Sequence, residues 1–279
     1  MNNKKELCYK GIGIHTGEYV EVFLANNNES DIKFILPNKE EIRADINYAF
    51  PRFGATILKK DSISLYTVEH IMAVLFAKGL PSVSIYLSGY ELPIGDGSSI
   101  QWCKLLEELE KRDNLKKKDK LLIVNRKARF YKDNSWIEVE PFEGVYIKVI
   151  VEFDKYPFLN SIVCWDGSWE SFCSEIAPAR TFSVLKEAKR LIRNGMAKGG
   201  NLNNCLLFDT KGNVINKTRL RYFDEPARHK LLDFLGDIGL LGLRLKGKFT
   251  VYRPSHKTNI ELLKQFLKSK SFIIKEIEQ

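Results

Sequence analysis

The spacing of apolar side chains divides the chain into short alternating stretches and a few longer helical ones. Alternation predicts strands over 19–25 and 32–36, and a hairpin of 54–59 and 62–66 turning at Lys60-Asp61. A helix is expected over 67–78 with Thr67 as its N-cap, then a strand over 82–87. A Pro/Gly loop over 92–98 leads into a helix over 98–112, with Ser98 as its cap. Beyond residue 120, strands are predicted over 121–131, 136–140 and 145–153, with Asp133-Asn134-Ser135 as a turn. Helical stretches over 169–176 and 182–194 precede a hairpin signal at Lys211-Gly212-Asn213. An apolar helix over 224–241, a strand over 246–252 and a helix over 257–268 complete the pattern. Strands and helices mix without regular β-α alternation, so the expected class is α+β rather than a doubly wound parallel sheet.

The run from Glu110 to Lys120 is highly charged with little apolar content and reads as a solvated linker. It divides the 279 residues into domains 1–115 and 116–279, each near the usual domain size of ~150 residues. Hydrophobic residues at 44% and charged residues at 28% exclude a largely disordered chain. No apolar run approaches the ~20 residues of a membrane span. The first residues carry lysines without the apolar stretch of a secretion signal. Five scattered cysteines without a Cys-x-x-Cys pair predict reduced, mostly buried thiols in a cytoplasmic protein. The net charge of +9 fits nucleic acid, an anionic membrane surface, a phosphorylated small molecule, or a lysine-rich surface with no partner. No nucleic-acid motif appears, and the acidic residues within 110–120 argue against that partner.

Within the helix at 224–241, His229, Asp233 and Asp237 recur at i, i+4 and i+8 and form one polar stripe on an otherwise apolar element. Such a stripe faces solvent, or it faces cations, a metal or a wet cleft, because buried unpartnered charges cost several kcal/mol. The His-x-x-x-Asp spacing offers zinc one nitrogen and one oxygen on a single face. Glu69 beside His70 would pair a ligand with a carboxylate able to take a proton from water. The Gly-rich turn around His15 has backbone amides able to approach an anionic ligand. His256 stands at a strand-to-helix corner, where a histidine serves as a cap or as a general acid.

Seven stretches then occur in one order: 11–17, 67–70, 92–98, 179–182, 199–204, 228–237 and 247–256. That series resembles the UDP-3-O-acyl-N-acetylglucosamine deacetylases, the zinc amidases of lipid A synthesis, across nearly the whole chain. The resemblance implies two similar domains, each a mostly antiparallel sheet packed with helices, with the active site at their interface. It implies that His70, His229 and Asp233 bind Zn2+ and that Glu69 is the general base. Thr181 would stabilise the oxyanion, and His256, kept cationic by Asp237, would protonate the leaving amine. Lys230, Arg253 and His15 would hold the diphosphate, Phe182 would pack on the sugar, and Phe153 would stack on uracil. The apolar segment 184–196 would form the fatty-acyl passage. The implied partner is a UDP-sugar with an acyl chain, met by a cytoplasmic monomer with peripheral membrane contact. A zinc amidase acting on a non-acylated N-acetyl sugar nucleotide is the nearest alternative. The chain departs from the family pattern at Gly95, Tyr156 and Ser255.

Overall fold

Residues 7–27, 29, 31–52 and 54–277 are described by a computed structural model. The N-terminal segment 1–6, read above for a secretion signal, lies outside the described residues. In the first half, β1 (Cys8–Ile12) and β2 (Tyr19–Asn26) form one hairpin, and β3 (Ile32–Ile35) and β4 (Glu41–Arg43) another. A three-stranded meander follows: β5 (Ala49–Arg52), β6 (Ala55–Lys60) and β7 (Ile63–Tyr66). Then come α1 (Glu69–Ala77), β8 (Val83–Leu87) and α2 (Ile100–Glu110). Strand β8 inserts between the hairpins, antiparallel to β2 and parallel to β3, giving the order β1-β2-β8-β3-β4.

The second half repeats that plan. After β9 (Lys120–Val124), β10 (Ala128–Lys132) pairs with β11 (Ser135–Glu140), and β12 (Val145–Val151) pairs with β13 (Ser161–Trp165). A single turn, α3 (Trp169–Ser171), widens into a π-helical turn at Phe172–Ile176. Next are β14 (Phe182–Val184), α4 (Leu185–Arg193), β15 (Leu206–Phe208) and the long α5 (Glu225–Gly239). The chain closes with β16 (Arg244–Tyr252), α6 (His256–Lys268) and β17 (Phe272–Glu276). Strand β16 lies between β11 and β12, antiparallel to the first and parallel to the second, as β8 does in its sheet. Both sheets are thus mixed but mostly antiparallel, and the chain is α+β.

One apolar core runs through both halves, with Phe34 and Trp102 from the first and Phe234, Phe249 and Phe266 from the second fully buried. A smaller cluster of Leu159, Val184, Leu206 and Phe208 sits with the β14-α4-β15 unit. Several expectations are corrected. The stretch 182–194 opens as a strand, because Phe182 and Val184 pair in parallel with Leu206 and Phe208. The stretch 121–131 is two strands, since β9 joins β16 and β17 while β10 turns back onto β11. The charged run 110–120 is pinned rather than loose. Ser82 N–H donates to the Lys116 carbonyl at 2.7 Å, Lys118 pairs with Asp31 at 2.9 Å, and Leu115 packs on the core. Of the cysteines, Cys103 alone is fully buried and Cys164 is exposed, against the expectation of mostly buried thiols.

Candidate metal centre and active site

Helix α1 begins without a side-chain cap. Thr67 has φ +62° and its hydroxyl donates to Glu91 at 2.9 Å, so it braces a loop instead of capping the helix. The Glu91 carboxylate also accepts the backbone N–H groups of His15 and Thr16, at 2.9 and 2.7 Å, and the Thr16 hydroxyl. The glycine-rich turn therefore does hold an anion, but the anion is the buried side chain of Glu91. Ser98 likewise donates to Asp96 at 2.6 Å, and the residue at the α2 cap position is Ser99, which makes no side-chain cap bond.

Helices α1 and α5 meet where α5 has no side chains. A Cβ on Gly236 would stand 2.2 Å from the Glu69 carbonyl oxygen, far inside contact distance. That approach brings Glu69 and His70 to the polar face of α5. Gly236→Ala must separate the helices, an overpacking cost of about 1–3 kcal/mol or more. The expected result is a Tm lower by several degrees, at roughly 2–4 °C per kcal/mol, together with weaker metal binding. Thermal unfolding and metal titration of the variant check this; unchanged values in both would contradict the contact.

His70, His229 and Asp233 each present one donor atom, and these atoms lie within 4.8 Å of one another, all buried. The His229 Nδ1 is 3.0 Å from the Ala179 carbonyl, which only accepts, so the proton sits there and the lone pair is left on Nε2. That Nε2 is 3.3 Å from Asp233 Oδ1, while Asp233 Oδ2 takes the Lys230 ammonium at 2.7 Å. Burial and the neighbouring His229 push the pKa of His70 down to about 3, and burial also lowers that of His229. Burial works against the Asp233 carboxylate, but Lys230, His229 and His256 hold its pKa well below the usual range. The cluster is therefore two neutral imidazoles and one carboxylate, the protonation state that binds a metal.

Glu69 lies beside the cluster, 2% exposed, its Oε2 accepting the Thr56 N–H at 3.2 Å. Burial raises its pKa to about 8, against the pull of His256. His256 opens α6, with Nε2 at 3.7 Å from Glu69 and 3.8 Å from Asp233. Its Nδ1 is 3.2 Å from Asp237 Oδ2. Burial opposes its charge, yet Asp237, Asp233 and Glu69 outweigh that and raise its pKa to about 9. Two residues given no role from sequence complete the arrangement. Thr56 donates to Asp237 at 2.5 Å and lies 2.9 Å from His256 Nδ1, and Asn259 donates to Asp237 at 2.8 Å. Thr56 lies in β6, some 180–200 residues from both partners, with no local signal. Asn259 is one turn from His256 on α6.

The loop before β14 is set by a buried ion pair also missed from sequence. Arg180 binds Glu225 through Nε at 2.8 Å and a second guanidinium nitrogen at 3.1 Å. The pair anchors the Ala179 carbonyl that orients His229, and with it Thr181. Thr181 lines a small cavity of about 80 Å3 with Glu69, His70, His229, Lys230, Asp233 and His256. Through Thr181 and Phe182 this opens beside an apolar cavity of about 310 Å3, lined by His15, α4 and residues 197–207. Phe182 stands edge-on to His229, with ring centres 6.3 Å apart, and edge-on to Phe153 at 6.4 Å. Arg253 is not brought to the cluster. It lines neither cavity, and its guanidinium is bonded to Glu152 and Asp154.

Each departure from the family pattern has a partner in the structure. A Cβ on Gly95 would stand 1.9 Å from the Tyr9 hydroxyl, so Tyr9 occupies the space of a bulkier side chain. The Tyr156 hydroxyl donates to Glu187 at 3.1 Å and ties the turn after β12 to α4. Ser255 caps α6 in a reciprocal pair with Thr258, which fixes the helix at the residue before His256.

Comparison with known proteins agrees with this geometry. Residues 3–268 match the family model LpxC, described as UDP-3-O-acyl N-acetylglycosamine deacetylase. A UDP-3-O-acyl-N-acetylglucosamine deacetylase of Thermodesulfovibrio yellowstonii is 31% identical over 278 residues, covering 98% of this chain and 93% of that protein. One of Helicobacter hepaticus is 33% identical over 273 residues, with 96% and 89% covered. One of Campylobacter jejuni is 32% identical over 262 residues, with 93% and 88% covered. On this agreement along almost its full length, the chain belongs to the UDP-3-O-acyl-N-acetylglucosamine deacetylase family.

Proposed function

We propose that this protein hydrolyses the N-acetyl group of UDP-3-O-acyl-N-acetylglucosamine with zinc, releasing acetate in the committed step of lipid A synthesis. The observation that carries the reading is the convergence of His70, His229 and Asp233 within 4.8 Å, with Glu69 beside them and an apolar cavity adjoining. A donor set of two nitrogens and one carboxylate oxygen suits a hydrolytic zinc, which keeps a fourth position open. Bound there, zinc supplies Lewis-acid polarisation of the acetamide carbonyl and makes water more acidic.

The protein's own residues account for the proton transfers. Glu69 takes a proton from the water that attacks the acetamide carbon, and burial, which raises its pKa to about 8, makes its carboxylate a stronger base for that task. Thr181, on the wall of the same cavity, donates to the developing oxyanion. As the C–N bond breaks, His256 delivers its Nε2 proton to the leaving nitrogen. Asp237, oriented by Thr56 and Asn259, keeps His256 protonated until then. Lys230 and His15 sit on the walls of the two cavities as contacts for the nucleotide-sugar, Phe182 faces the sugar, and Phe153, edge-on to Phe182, is the contact for the nucleotide.

In this reading residues 1–115 and 116–279 are two similar domains, a division supported by their matching strand orders. The site lies between them: the first contributes His15, Thr56, Glu69 and His70, the second Thr181, His229, Lys230, Asp233, Asp237 and His256. Among the described residues no helix is long and apolar enough to cross a membrane.

Acetate release from acylated and non-acylated UDP-N-acetylglucosamine tests the reading. Each buried methylene contributes about 0.8 kcal/mol, so even four of them give a preference on the order of 10²-fold in kcat/KM for the acylated substrate. Equal rates would transfer the chemistry to a different sugar nucleotide. No acetate from either, with zinc bound, would overturn it.

A further inference from the structure

The positive charge of this chain is concentrated in one place. Residues 185–223 carry nine Lys or Arg and two Asp or Glu, a surplus of seven in a chain whose total is +9. All nine cations are exposed, and among the described residues only Arg190 and Arg221 are in ion pairs, with Glu187 and Asp96. The segment includes α4, a helix without a single buried residue. Its apolar stripe of Leu185, Ala188, Leu191 and Ile192 lines the 310 Å3 cavity, while Lys186, Arg190 and Arg193 occupy the opposite face. At the mouth of that cavity Ile192 and Leu202 are 58% and 46% exposed. Asn216 donates to the Leu202 carbonyl at 2.6 Å, which ties the segment carrying exposed Ile215 and Lys217 to the loop of Leu202.

We propose that this face docks on an anionic lipid bilayer, with the mouth of the apolar cavity turned toward the acyl-chain region. An amphipathic helix with lysine and arginine on its polar face and aliphatic side chains on the other is the form that lies in a membrane interface. The unpaired cations complement acidic headgroups, and Ile192, Leu202 and Ile215 are aliphatic, suited to insertion among lipid tails rather than to stacking on bases. The role assigned to docking rests on the cavity being an acyl passage: a fatty-acylated nucleotide partitions to the bilayer surface, and a mouth held there receives its chain without full transfer through water.

Co-sedimentation of the full chain with vesicles tests the surface independently of catalysis. Binding is expected to vesicles containing phosphatidylglycerol, to weaken steeply with salt, and to be absent on phosphatidylcholine alone. The variant Lys186→Gln, Arg193→Gln, Lys217→Gln is expected to partition about fivefold more weakly per charge removed. Its acetate release from substrate in solution should stay unchanged, which shows that it folds. Ile192→Asn is expected to lower vesicle binding at constant charge. Equal binding to neutral and anionic vesicles, or retention on polyuridylate without vesicle binding, would overturn the proposal. Absence of acetate release by the unaltered chain, with vesicle binding intact, would instead count against the deacetylase reading.

Discussion

Glu69→Ala is expected to retain its zinc and lose about 10³-fold in kcat, within the 10²–10⁴ that a positioned general base contributes. The two properties separate because Glu69 is outside the group of three donors that converge within 4.8 Å. Its Oε2 accepts the Thr56 N–H, and the proposed mechanism gives it a task with water and not with the metal. A second effect follows from charge. Glu69 is one of three carboxylates that raise the pKa of His256, and its removal lowers that pKa. In the proposed mechanism His256 works in its protonated form, so activity is lost as pH rises through its pKa. The residual activity of the variant should therefore decline at lower pH than that of the unaltered enzyme. Metal analysis and a pH profile of acetate release measure both effects. A wild-type rate would remove Glu69 from the role of base and leave His256 as the candidate. Loss of zinc would place Glu69 among the ligands.

The degree to which this site could be read from sequence follows the range of its contacts. The stripe of His229, Asp233 and Asp237 is local to one helix, and its spacing is visible in the sequence alone. The pairing of that stripe with Glu69 and His70 is not, because Gly236, which permits it, is a helix glycine without a pattern of its own. Only the resemblance across seven stretches joined the two. Thr56 and the Arg180–Glu225 pair escaped for the same reason: their partners lie far off in sequence, and neither belongs to a periodic run. Among strands, those with inward-facing alternation were legible, such as β2 and β11, with burial patterns that alternate residue by residue. Edge strands β1 and β17 have no fully buried residue and carry no such alternation. The charged stretch 110–120 misled because it is tied by backbone bonds to Leu80 and Ser82, just before β8, and by Lys118 to Asp31, contacts that its composition does not announce.

The largest effect on metal is expected from the ligands, and two of them should fail in different ways. A hydrolytic zinc held by three side chains loses a third of its protein ligands in His70→Gln. Removing even an outer partner of a ligand costs 10–100-fold in affinity, so the variant should purify without zinc and release no acetate above background. The metal-free fold should change little, because burial and His229 keep His70 neutral and the replacement is neutral too. Asp233→Asn also abolishes zinc binding, but it leaves the Lys230 ammonium without the carboxylate that holds it at 2.7 Å and withdraws an anion from His256. Breaking a buried pair by removing one partner costs about 3 kcal/mol or more, so the metal-free Asp233→Asn protein should melt well below the metal-free His70→Gln protein. Zinc per chain and Tm after chelation distinguish the two. If His70→Gln kept one tightly held zinc and its rate, the three-donor site would be wrong; if the two metal-free variants melted together, Asp233 would be a ligand without the structural charge its contacts imply.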